Sequence, residues 1–208
     1  MTSWLNSNMP VYKVSPTKLE PLFSKNDKEL FYRYLSKATT YFEFGSGGST
    51  YQASIRTNIV KIYSVESDMV WHTKLKNIIN NDSINFIYNE MDTKPDSLGY
   101  PGPNSKKEDW INYSSHMSFL GDEELKAIDL VLIDGRFRVA CCLKCFDLVN
   151  SDCFIAFDDF LNRPQYHVIL NYYEIIEQSS DNIMVILKKK TGVTVPRELI
   201  EQYEVIKE

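Results

Sequence analysis

In the stretch YFEFGSGGST, residues 41–50, a mostly apolar run ends in a turn of small residues. The apolar run predicts a buried strand, and the residues from about Gly48 to Thr57 predict the helix that follows it. In an open α/β sheet, ligands bind beyond the carboxyl ends of the strands, and glycine lets the backbone approach a ligand closely. The stretch therefore predicts a ligand-binding turn between the first strand and its helix.

The rest of the chain repeats this alternation of apolar strands and amphipathic helices. VKIYSVE, INFIYN, IDLVLID and CFIAFDD predict four further buried strands, and helices are predicted at about 68–80 and 137–150. From about Pro164 a helix is followed by YEIIEQ, SSDN and IMVILKK, which predict an antiparallel hairpin. Another helix is predicted in SKNDKELFYRYLSKA, before the first strand. The pattern is typical of a doubly wound α/β fold with a mostly parallel sheet.

The composition limits the classes of protein that this chain can represent. With 208 residues, of which 43% are hydrophobic, we expect one domain over residues 1–208, with an N-terminal helical cap at 1–38. The net charge of −5 leaves no uniform basic face, which argues against a nucleic-acid partner. The sequence shows neither a leader nor an apolar run of membrane-spanning length, so we expect a cytoplasmic protein without membrane insertion.

The connection between the third and fourth strands, residues 91–127, is unusually long. Connections of this length in compact domains usually carry a binding loop or a lid. A disordered linker is the alternative, but the segment contains the aromatic residues Tyr100, Trp110 and Tyr113. We therefore predict a substrate-side insertion in which Tyr100 and Trp110 contact the substrate.

Two glutamates flank the glycine turn and indicate its ligand. A dinucleotide fingerprint requires a third glycine where Thr50 stands, so the glycines alone are weak evidence for NAD. Glu43 would attract a cation and repel a pyrophosphate, which favours the sulfonium of S-adenosylmethionine. Glu66 ends the second strand, at a distance from the glycines that suits the ribose hydroxyls. The predicted cofactor-binding residues are Glu43, Gly45, Ser46, Gly47, Gly48, Ser49, Thr50 and Glu66.

Three aspartates follow the fourth and fifth strands. Asp134 ends LVLID, and Asp158 and Asp159 end FIAFDD, so the three carboxylates are expected to meet at one edge of the sheet. Carboxylates this close repel one another unless a cation neutralises them, and ligand sets of oxygen alone favour Mg²⁺, Mn²⁺ or Ca²⁺. Helix capping by Asp134 and Asp159 is the alternative, although it leaves the doublet unexplained. The cluster predicts a divalent metal site.

FEFGSGGST together with Glu66 resembles the first two motifs of class I S-adenosylmethionine-dependent methyltransferases, and the resemblance spans about residues 41–189. It implies a seven-stranded sheet whose last strand is reversed. The aspartates resemble those of metal-dependent O-methyltransferases of the catechol and sugar-modifying types, which implies that Asp134, Asp158 and Asp159 bind magnesium or manganese. The doublet is closer to the sugar type, because Phe137 stands where the catechol type has a lysine.

A narrower resemblance concerns LVLIDGRFRVACCLK and FDDF. These segments resemble small methyltransferase domains attached to glycan-building proteins of large algal DNA viruses. The resemblance implies a viral protein acting in the host cytoplasm on a carbohydrate acceptor, such as a terminal rhamnose or another deoxysugar. It also implies fusion to, or association with, glycosyltransferase domains.

The predicted reaction is methyl transfer to an oxygen atom. Amino-group methyltransferases carry a Pro-Pro-aromatic tetrapeptide after the fourth strand, where this chain reads IDGR. A divalent ion would lower the pKa of the acceptor hydroxyl, and either Asp134 or His116 would remove its proton. Arg136 and Arg138 are either ligands for substrate oxygens or exposed residues at the start of a helix. Two alternatives stay open: a catechol-type methyltransferase, and a nucleotide-binding oxidoreductase or catalytically silent binding module.

Overall fold

The computed structural model of the protein describes residues 19–181 and 183–207, which form seven strands and seven α-helices. The strands are β1 (Thr40–Phe44), β2 (Lys61–Glu66), β3 (Ile84–Tyr88), β4 (Leu130–Ile133), β5 (Phe154–Phe157), β6 (Tyr173–Gln178) and β7 (Val185–Lys189). The helices are α1 (Lys25–Leu35), α2 (Gly48–Ser54), α3 (Met69–Ile78), α4 (Lys107–Ser115), α5 (Asp122–Ala127), α6 (Arg138–Leu148) and α7 (Arg197–Tyr203). Two 3-10 helices are His116–Phe119 and Pro164–Asn171. The predicted α/β fold class is confirmed.

All seven strands belong to one sheet, in the order β3-β2-β1-β4-β5-β7-β6. Strands β1 to β5 pair in parallel, while β7 is antiparallel to both of its neighbours. Both the predicted antiparallel hairpin and the reversed last strand are therefore confirmed. The strand order reverses between β1 and β4, which pair directly, so the turns that follow these two strands lie beside each other.

The central strands of the sheet are buried on both sides, because helices cover both of its faces. All residues of β1 and of β4 are buried. Phe42 and Phe44 of β1 pack in the core that contains α6, while the preceding residue Tyr41 packs on the face covered by α1. Burial on both faces explains why the parallel strands have continuous apolar sequences.

Helix α1 is the described part of the predicted N-terminal cap. Ser24 caps it by accepting a hydrogen bond from the backbone N–H of Asp27 at 3.0 Å. Leu30, Phe31 and Leu35 are buried against the sheet. The part of the predicted cap at residues 1–18 lies outside the described residues.

The long connection between β3 and β4 is largely helical, which excludes the alternative of a disordered linker. It contains α4, the first 3-10 helix and α5. Tyr113 and Met117 are buried in the main core, beside residues of α6. Residues 91–106, before α4, form turns and carry Tyr100. The connection is thus part of the domain, and only its first half is irregular.

Two helices differ in detail from the sequence-based expectation. Helix α2 ends at Ser54 instead of Thr57, and the helix that begins at Pro164 is a 3-10 helix. Across residues 19–181 and 183–207, no helix is both long and apolar enough to cross a membrane.

Candidate active site

The turns after β1 and β4 touch at the point where the strand order reverses. Gly45 has a backbone φ of +96°, and a Cβ atom there would lie 2.8 Å from the Cα of Gly135. Only glycine therefore fits at position 45 without moving the neighbouring turn. A Cβ atom on Gly47 would meet nothing within 4 Å. The two turns thus lie against each other, and the backbone of Gly47 is open to a ligand. We call the space beyond these turns, at the carboxyl edge of the sheet, the candidate cleft.

Glu43 lies beneath the glycine turn and has no exposed surface. Its carboxylate accepts hydrogen bonds from four hydroxyls, those of Tyr41 at 2.8 Å, Ser49 at 2.6 Å, Ser64 at 2.7 Å and Thr50. Burial raises the pKa of Glu43, and these hydroxyls oppose the rise. The predicted direct contact between Glu43 and a cofactor is corrected, because a fully buried carboxylate braces the turn from inside and acts on a ligand only through its charge.

Three more residues of the predicted cofactor set also face inward. Ser49 and Thr50 are buried with their hydroxyls on Glu43. A Cβ atom on Gly48 would lie 2.1 Å from the backbone of Glu20, so this glycine permits chain packing and not ligand approach. Two glycines of the predicted cofactor set, Gly45 and Gly47, are partly exposed. Ser46, between them, is largely buried.

Glu66 occupies the predicted position at the end of β2. One of its oxygens accepts hydrogen bonds from the backbone N–H groups of Ser67 at 2.7 Å and Asp68 at 2.8 Å, and the other accepts from Ser46 at 3.2 Å. A carboxylate has about four acceptor positions, so roughly one remains for a ligand hydroxyl. Burial raises the pKa of Glu66 to about 7, and the three backbone donors oppose that rise. Glu66 can therefore accept a hydrogen bond from a ribose hydroxyl when it is ionised.

The three aspartates converge as the sequence predicts, but they converge on an arginine. The Nη2 atom of Arg138 lies 3.1 Å from Asp134 Oδ1, and its Nη1 atom lies 3.2 Å from Asp159 Oδ2 and 3.9 Å from Asp158 Oδ2. The Arg138 side chain is only 4% exposed. A second arginine, Arg163, lies 2.8 Å from Asp159 on the outer side. The cation that this cluster requires is therefore supplied by the chain itself.

This arrangement does not fit a divalent metal ion. The carboxylate oxygens that would bind a metal face the N–H groups of Arg138, which keeps its charge at every accessible pH. The residues described in the structure contain no group of three or more His, Cys, Asp or Glu side chains placed to hold a metal ion. The geometry does not support the expected magnesium or manganese site at Asp134, Asp158 and Asp159. Neither aspartate considered as a helix cap holds that position, since Phe137 holds the cap position of α6 and Arg163 that of the 3-10 helix at Pro164.

Asp134 has the most exposed side chain of the three aspartates, by a small margin over Asp159. Its side chain is 29% exposed, against 25% for Asp159 and 13% for Asp158. Burial raises the pKa of Asp134, and the Arg138 guanidinium opposes the rise. Burial and the charge of Asp134 together raise the pKa of Asp158, and the two carboxyl groups share a hydrogen bond. Asp134 can therefore accept a proton from a bound group.

The backbone around this cluster adopts the left-handed conformation at two non-glycine residues. The φ angle is 52° at Phe137 and 58° at Asp159. For a bulky residue such as phenylalanine this conformation is rare and costs about 1–3 kcal/mol. The Phe137 ring is buried beside Trp110 and Tyr113, which offsets the cost. The turn lets α6 begin immediately after β4, so that Arg138 reaches back to Asp134.

His116 does not join the three aspartates. Its Nε2 atom lies 2.8 Å from Asn89 Oδ1, just beyond the end of β3, and its ring packs edge-on against Phe119. Burial lowers the pKa of His116. The structure therefore ties the candidate base His116 to Asn89, and Asp134 is the better placed of the two predicted bases.

The irregular segment before α4 crosses the cleft. The carbonyl of Gly99 accepts a hydrogen bond from the hydroxyl of Ser67 at 3.2 Å, at the end of β2. The next residue, Tyr100, places its ring 4.3 Å from the guanidinium of Arg136, just after β4. Arg136 is 7% exposed, and its Nε atom has no hydrogen-bond partner among the described residues. Tyr100 and Arg136 therefore remain candidates for contact with a substrate.

Trp110, by contrast, is partly buried and packs against the main core. Its indole N–H donates a hydrogen bond to the hydroxyl of Ser105 at 2.9 Å, and its ring stacks on Phe137 at 6.1 Å. The ammonium of Lys207 lies 4.2 Å from the other part of the ring system. Trp110 thus joins α4 to the start of α6, and its predicted substrate contact stays a prediction.

Sequence reasoning treated Arg138 as a substrate ligand or an exposed residue and did not single out Ser64, although both side chains organise the site. Arg138 stands four residues after Asp134, and this spacing brings side chains together at a helix start. Ser64 stands two residues before Glu66 on β2, beside Glu43 in the register of the two strands. The first signal was present in the sequence, whereas the second requires knowledge of the strand pairing.

Comparison with solved structures places this geometry in a known fold. A methyltransferase-like protein from Silicibacter pomeroyi superposes with a TM-score of 0.76 at 22% sequence identity, covering 89% of this chain and 95% of that chain. A methyltransferase from Streptococcus mutans, described as putative and solved in complex with SAH, superposes with a TM-score of 0.51 at 12% identity, covering 81% and 100%. A putative O-methyltransferase from Klebsiella pneumoniae also has a TM-score of 0.51 at 12% identity, covering 83% and 84%.

These neighbours define the class of fold. The protein has the Rossmann-like fold of class I S-adenosylmethionine-dependent methyltransferases, with the glycine turn after β1 and Glu66 at the end of β2. No protein-family model matches the sequence, and no curated protein sequence matches it.

Proposed function

We propose that this protein is an S-adenosylmethionine-dependent methyltransferase that methylates an acceptor hydroxyl. The observation that carries the proposal is the meeting of the β1 and β4 turns at Gly45 and Gly135, with Glu66 on one side and Asp134 on the other. A ligand on the Gly47 backbone and an acceptor at Asp134 would be neighbours across this contact. Methyl transfer requires such proximity, because holding two reacting atoms in line supplies much of the acceleration.

The charges on the cofactor side support a cationic ligand. Glu43 and Glu66 accept hydrogen bonds from hydroxyls and backbone N–H groups, and no lysine or arginine pairs with either carboxylate in the hydrogen bonds described here. Their charges therefore act on the cleft, where they attract a sulfonium and repel a pyrophosphate. This field disfavours the alternative of an NAD-dependent oxidoreductase. S-adenosylmethionine supplies the methyl group, and the chain positions it.

Asp134 is the proposed base. A hydroxyl acceptor must lose its proton during methyl transfer, and a carboxylate within hydrogen-bond reach accelerates that loss. Asp134 is partly exposed at the end of β4, whereas His116 is bound to Asn89. The expected divalent ion is not part of this proposal, because the described carboxylates already face Arg138.

For the acceptor we propose a carbohydrate hydroxyl, such as that of rhamnose or another deoxysugar on a glycan. The aspartate doublet resembles that of sugar-modifying methyltransferases. Tyr100 is 43% exposed and offers a ring that can stack on a sugar face, beside the guanidinium of Arg136. Association with glycosyltransferase domains in the cytoplasm would supply such an acceptor. A catechol is the second candidate, because the same ring stacks on a phenol.

Two measurements test the proposal in order. Calorimetry with S-adenosylhomocysteine (SAH) and with NAD should show binding of SAH alone, and binding of NAD alone would overturn the choice of cofactor. Methyl transfer from radiolabelled S-adenosylmethionine should then be measured with free and nucleotide-linked deoxysugars and with catechols. Product from the sugars supports the carbohydrate assignment, whereas product from catechols alone replaces it with the second candidate.

A further inference from the structure

We infer that Arg138 is the built-in cation of the aspartate cluster and that it positions Asp134, in place of the divalent ion of metal-dependent O-methyltransferases. The positioning role rests on the proposed function, since it assumes that Asp134 accepts the acceptor proton. The assignment of the cation does not depend on that function. It depends on the contacts of one buried side chain.

All three nitrogen atoms of the Arg138 guanidinium have hydrogen-bond acceptors. Nε donates to the carbonyl of Gly135 at 3.0 Å. Nη1 donates to the carbonyl of Asp158 at 2.7 Å and to the carboxylate of Asp159 at 3.2 Å. Nη2 donates to the carbonyl and the carboxylate of Asp134, at 3.2 Å and 3.1 Å. The guanidinium thus joins the turns after β4 and β5 through both backbone and side-chain oxygens.

The burial of Arg138 opposes its replacement by a metal ion. Its side chain is 4% exposed, so it cannot swing into solvent without opening the contact between α6 and the two turns. A guanidinium does not lose its proton in proteins, so a divalent ion among the same carboxylates would meet a fixed positive charge. Three carboxylates that would otherwise attract a metal ion are therefore closed to it as long as Arg138 stays in place.

The same contacts fix the orientation of Asp134. Nη2 bonds both the backbone carbonyl and Oδ1 of this residue, which holds the carboxylate against its own main chain. A metal ion would orient the acceptor directly. The Arg138 side chain is only 4% exposed, so an acceptor does not reach it. Arg138 therefore acts through Asp134, as a positioning residue.

Manganese binding provides the test, and it needs neither cofactor nor acceptor. Free Mn²⁺ should be titrated by electron paramagnetic resonance, with thermal unfolding in parallel, for wild type, Arg138→Met and Arg163→Met. Arg163 is the matched control because it pairs with Asp159 but is 35% exposed. Wild type and Arg163→Met should bind no Mn²⁺ at this cluster. Arg138→Met should have a lower Tm, bind one Mn²⁺, and regain several degrees of Tm when Mn²⁺ is added.

Two results would overturn the inference. The first is one Mn²⁺ bound by wild type and lost in Asp158→Asn. The second is an Arg138→Met variant whose Tm is unchanged or insensitive to Mn²⁺, since the guanidinium would then not be what holds the carboxylates. If Arg138→Met does not fold, Arg138→Lys keeps the charge, and it should fold and bind no Mn²⁺. Binding of one Mn²⁺ at this cluster by folded Arg138→Lys would contradict the inference.

Turnover supplies the readout for the positioning role. Methyl transfer should proceed at the same rate in EDTA and in Mg²⁺, and activity lost in EDTA and restored by Mg²⁺ would overturn the inference. Arg138→Lys should lower kcat while the affinity for SAH stays at the wild-type value, and Arg138→Met should lower kcat further. A protein that binds SAH but turns over no acceptor would contradict the proposed function and leave the manganese result standing.

Discussion

The two halves of the site hold their carboxylates in different ways. At the ends of β1 and β2, Glu43 and Glu66 accept hydrogen bonds from hydroxyls and backbone N–H groups, which carry no net charge. At the ends of β4 and β5, the aspartates face the guanidinium of Arg138. A carboxylate with neutral donors is paired with no cation of the chain, so its charge can act on a ligand when it is ionised, whereas the charge of a carboxylate beside an arginine is already partly offset. The first half is therefore suited to a cation and the second to a neutral acceptor.

The largest expected effect is a loss of turnover, caused by a substitution in the half of the site at the ends of β4 and β5. Asp134→Asn should lower kcat by about 10²- to 10⁴-fold, because an amide cannot accept the acceptor proton. The amide oxygen still accepts from Arg138, so the fold and the affinity for SAH should be kept. Steady-state kinetics and calorimetry would measure both. Asp159→Asn is the control, and a loss of turnover as large as that of Asp134→Asn would show that the whole cluster, and not Asp134, is needed.

The next effect concerns cofactor binding, in the first half. Glu66→Ala should weaken SAH binding by about 1.5–3 kcal/mol, because it removes a charged acceptor for the ribose. Calorimetry measures this change, with circular dichroism to show that the fold is intact. Glu123→Ala is a matched control, since Glu123 is exposed and pairs only with Lys126 in the contacts described. An unchanged affinity in folded Glu66→Ala would remove Glu66 from the site.

A third prediction is that the affinity for SAH depends on pH through Glu66. Burial raises the pKa of Glu66 from 4.5 to about 7, and only the ionised form accepts a full set of hydrogen bonds. The SAH affinity should therefore fall as the pH decreases below about 7, by up to tenfold per pH unit. Glu66→Gln should abolish this dependence. A wild-type affinity that stays constant between pH 7.5 and 5.5 would contradict the assignment.

The same shift has an opposite effect on the stability of the free protein. A raised pKa means that the folded state binds the Glu66 proton more tightly than the unfolded chain does. The contribution of Glu66 to the free energy of unfolding is thus complete below pH 4.5 and is lost as the pH rises to about 7. Lowering the pH should therefore weaken SAH binding, whereas the protonation of Glu66 stabilises the folded state.

The smallest expected effect distinguishes the two aromatic residues of the long connection. Tyr100→Ala should raise the acceptor KM by a few fold and leave the Tm almost unchanged, because its ring covers only Arg136. Trp110→Ala should lower the Tm and leave the acceptor KM unchanged, because its ring packs on Phe137. Kinetics and thermal unfolding measure the pair. The reverse pattern would assign acceptor contact to Trp110.

Strand and helix positions were predictable because each depends on local sequence. The apolar runs that end at Glu43, Glu66 and Asp134 were recognised as buried strands, and their order predicted a parallel sheet. The convergence of the three aspartates followed from the same reasoning, since parallel strands end at one edge. The cation among them was not predicted, because the spacing of Asp134 and Arg138 permits their contact but does not decide whether Arg138 turns toward the carboxylates or toward solvent.

The sequence by itself determined the class of fold, the glycine turn and the set of acids at the strand ends. Only the tertiary structure decided which of these side chains face the cleft. Glu43, Ser49 and Thr50 turn inward because a hydroxyl of the neighbouring strand, that of Ser64, completes their network. Arg138 turns toward Asp134 because a left-handed residue before α6 starts the helix one turn from the carboxylate. Hydrogen-bond partners distant in the chain set these directions, and strand spacing in the sequence carries no information about them.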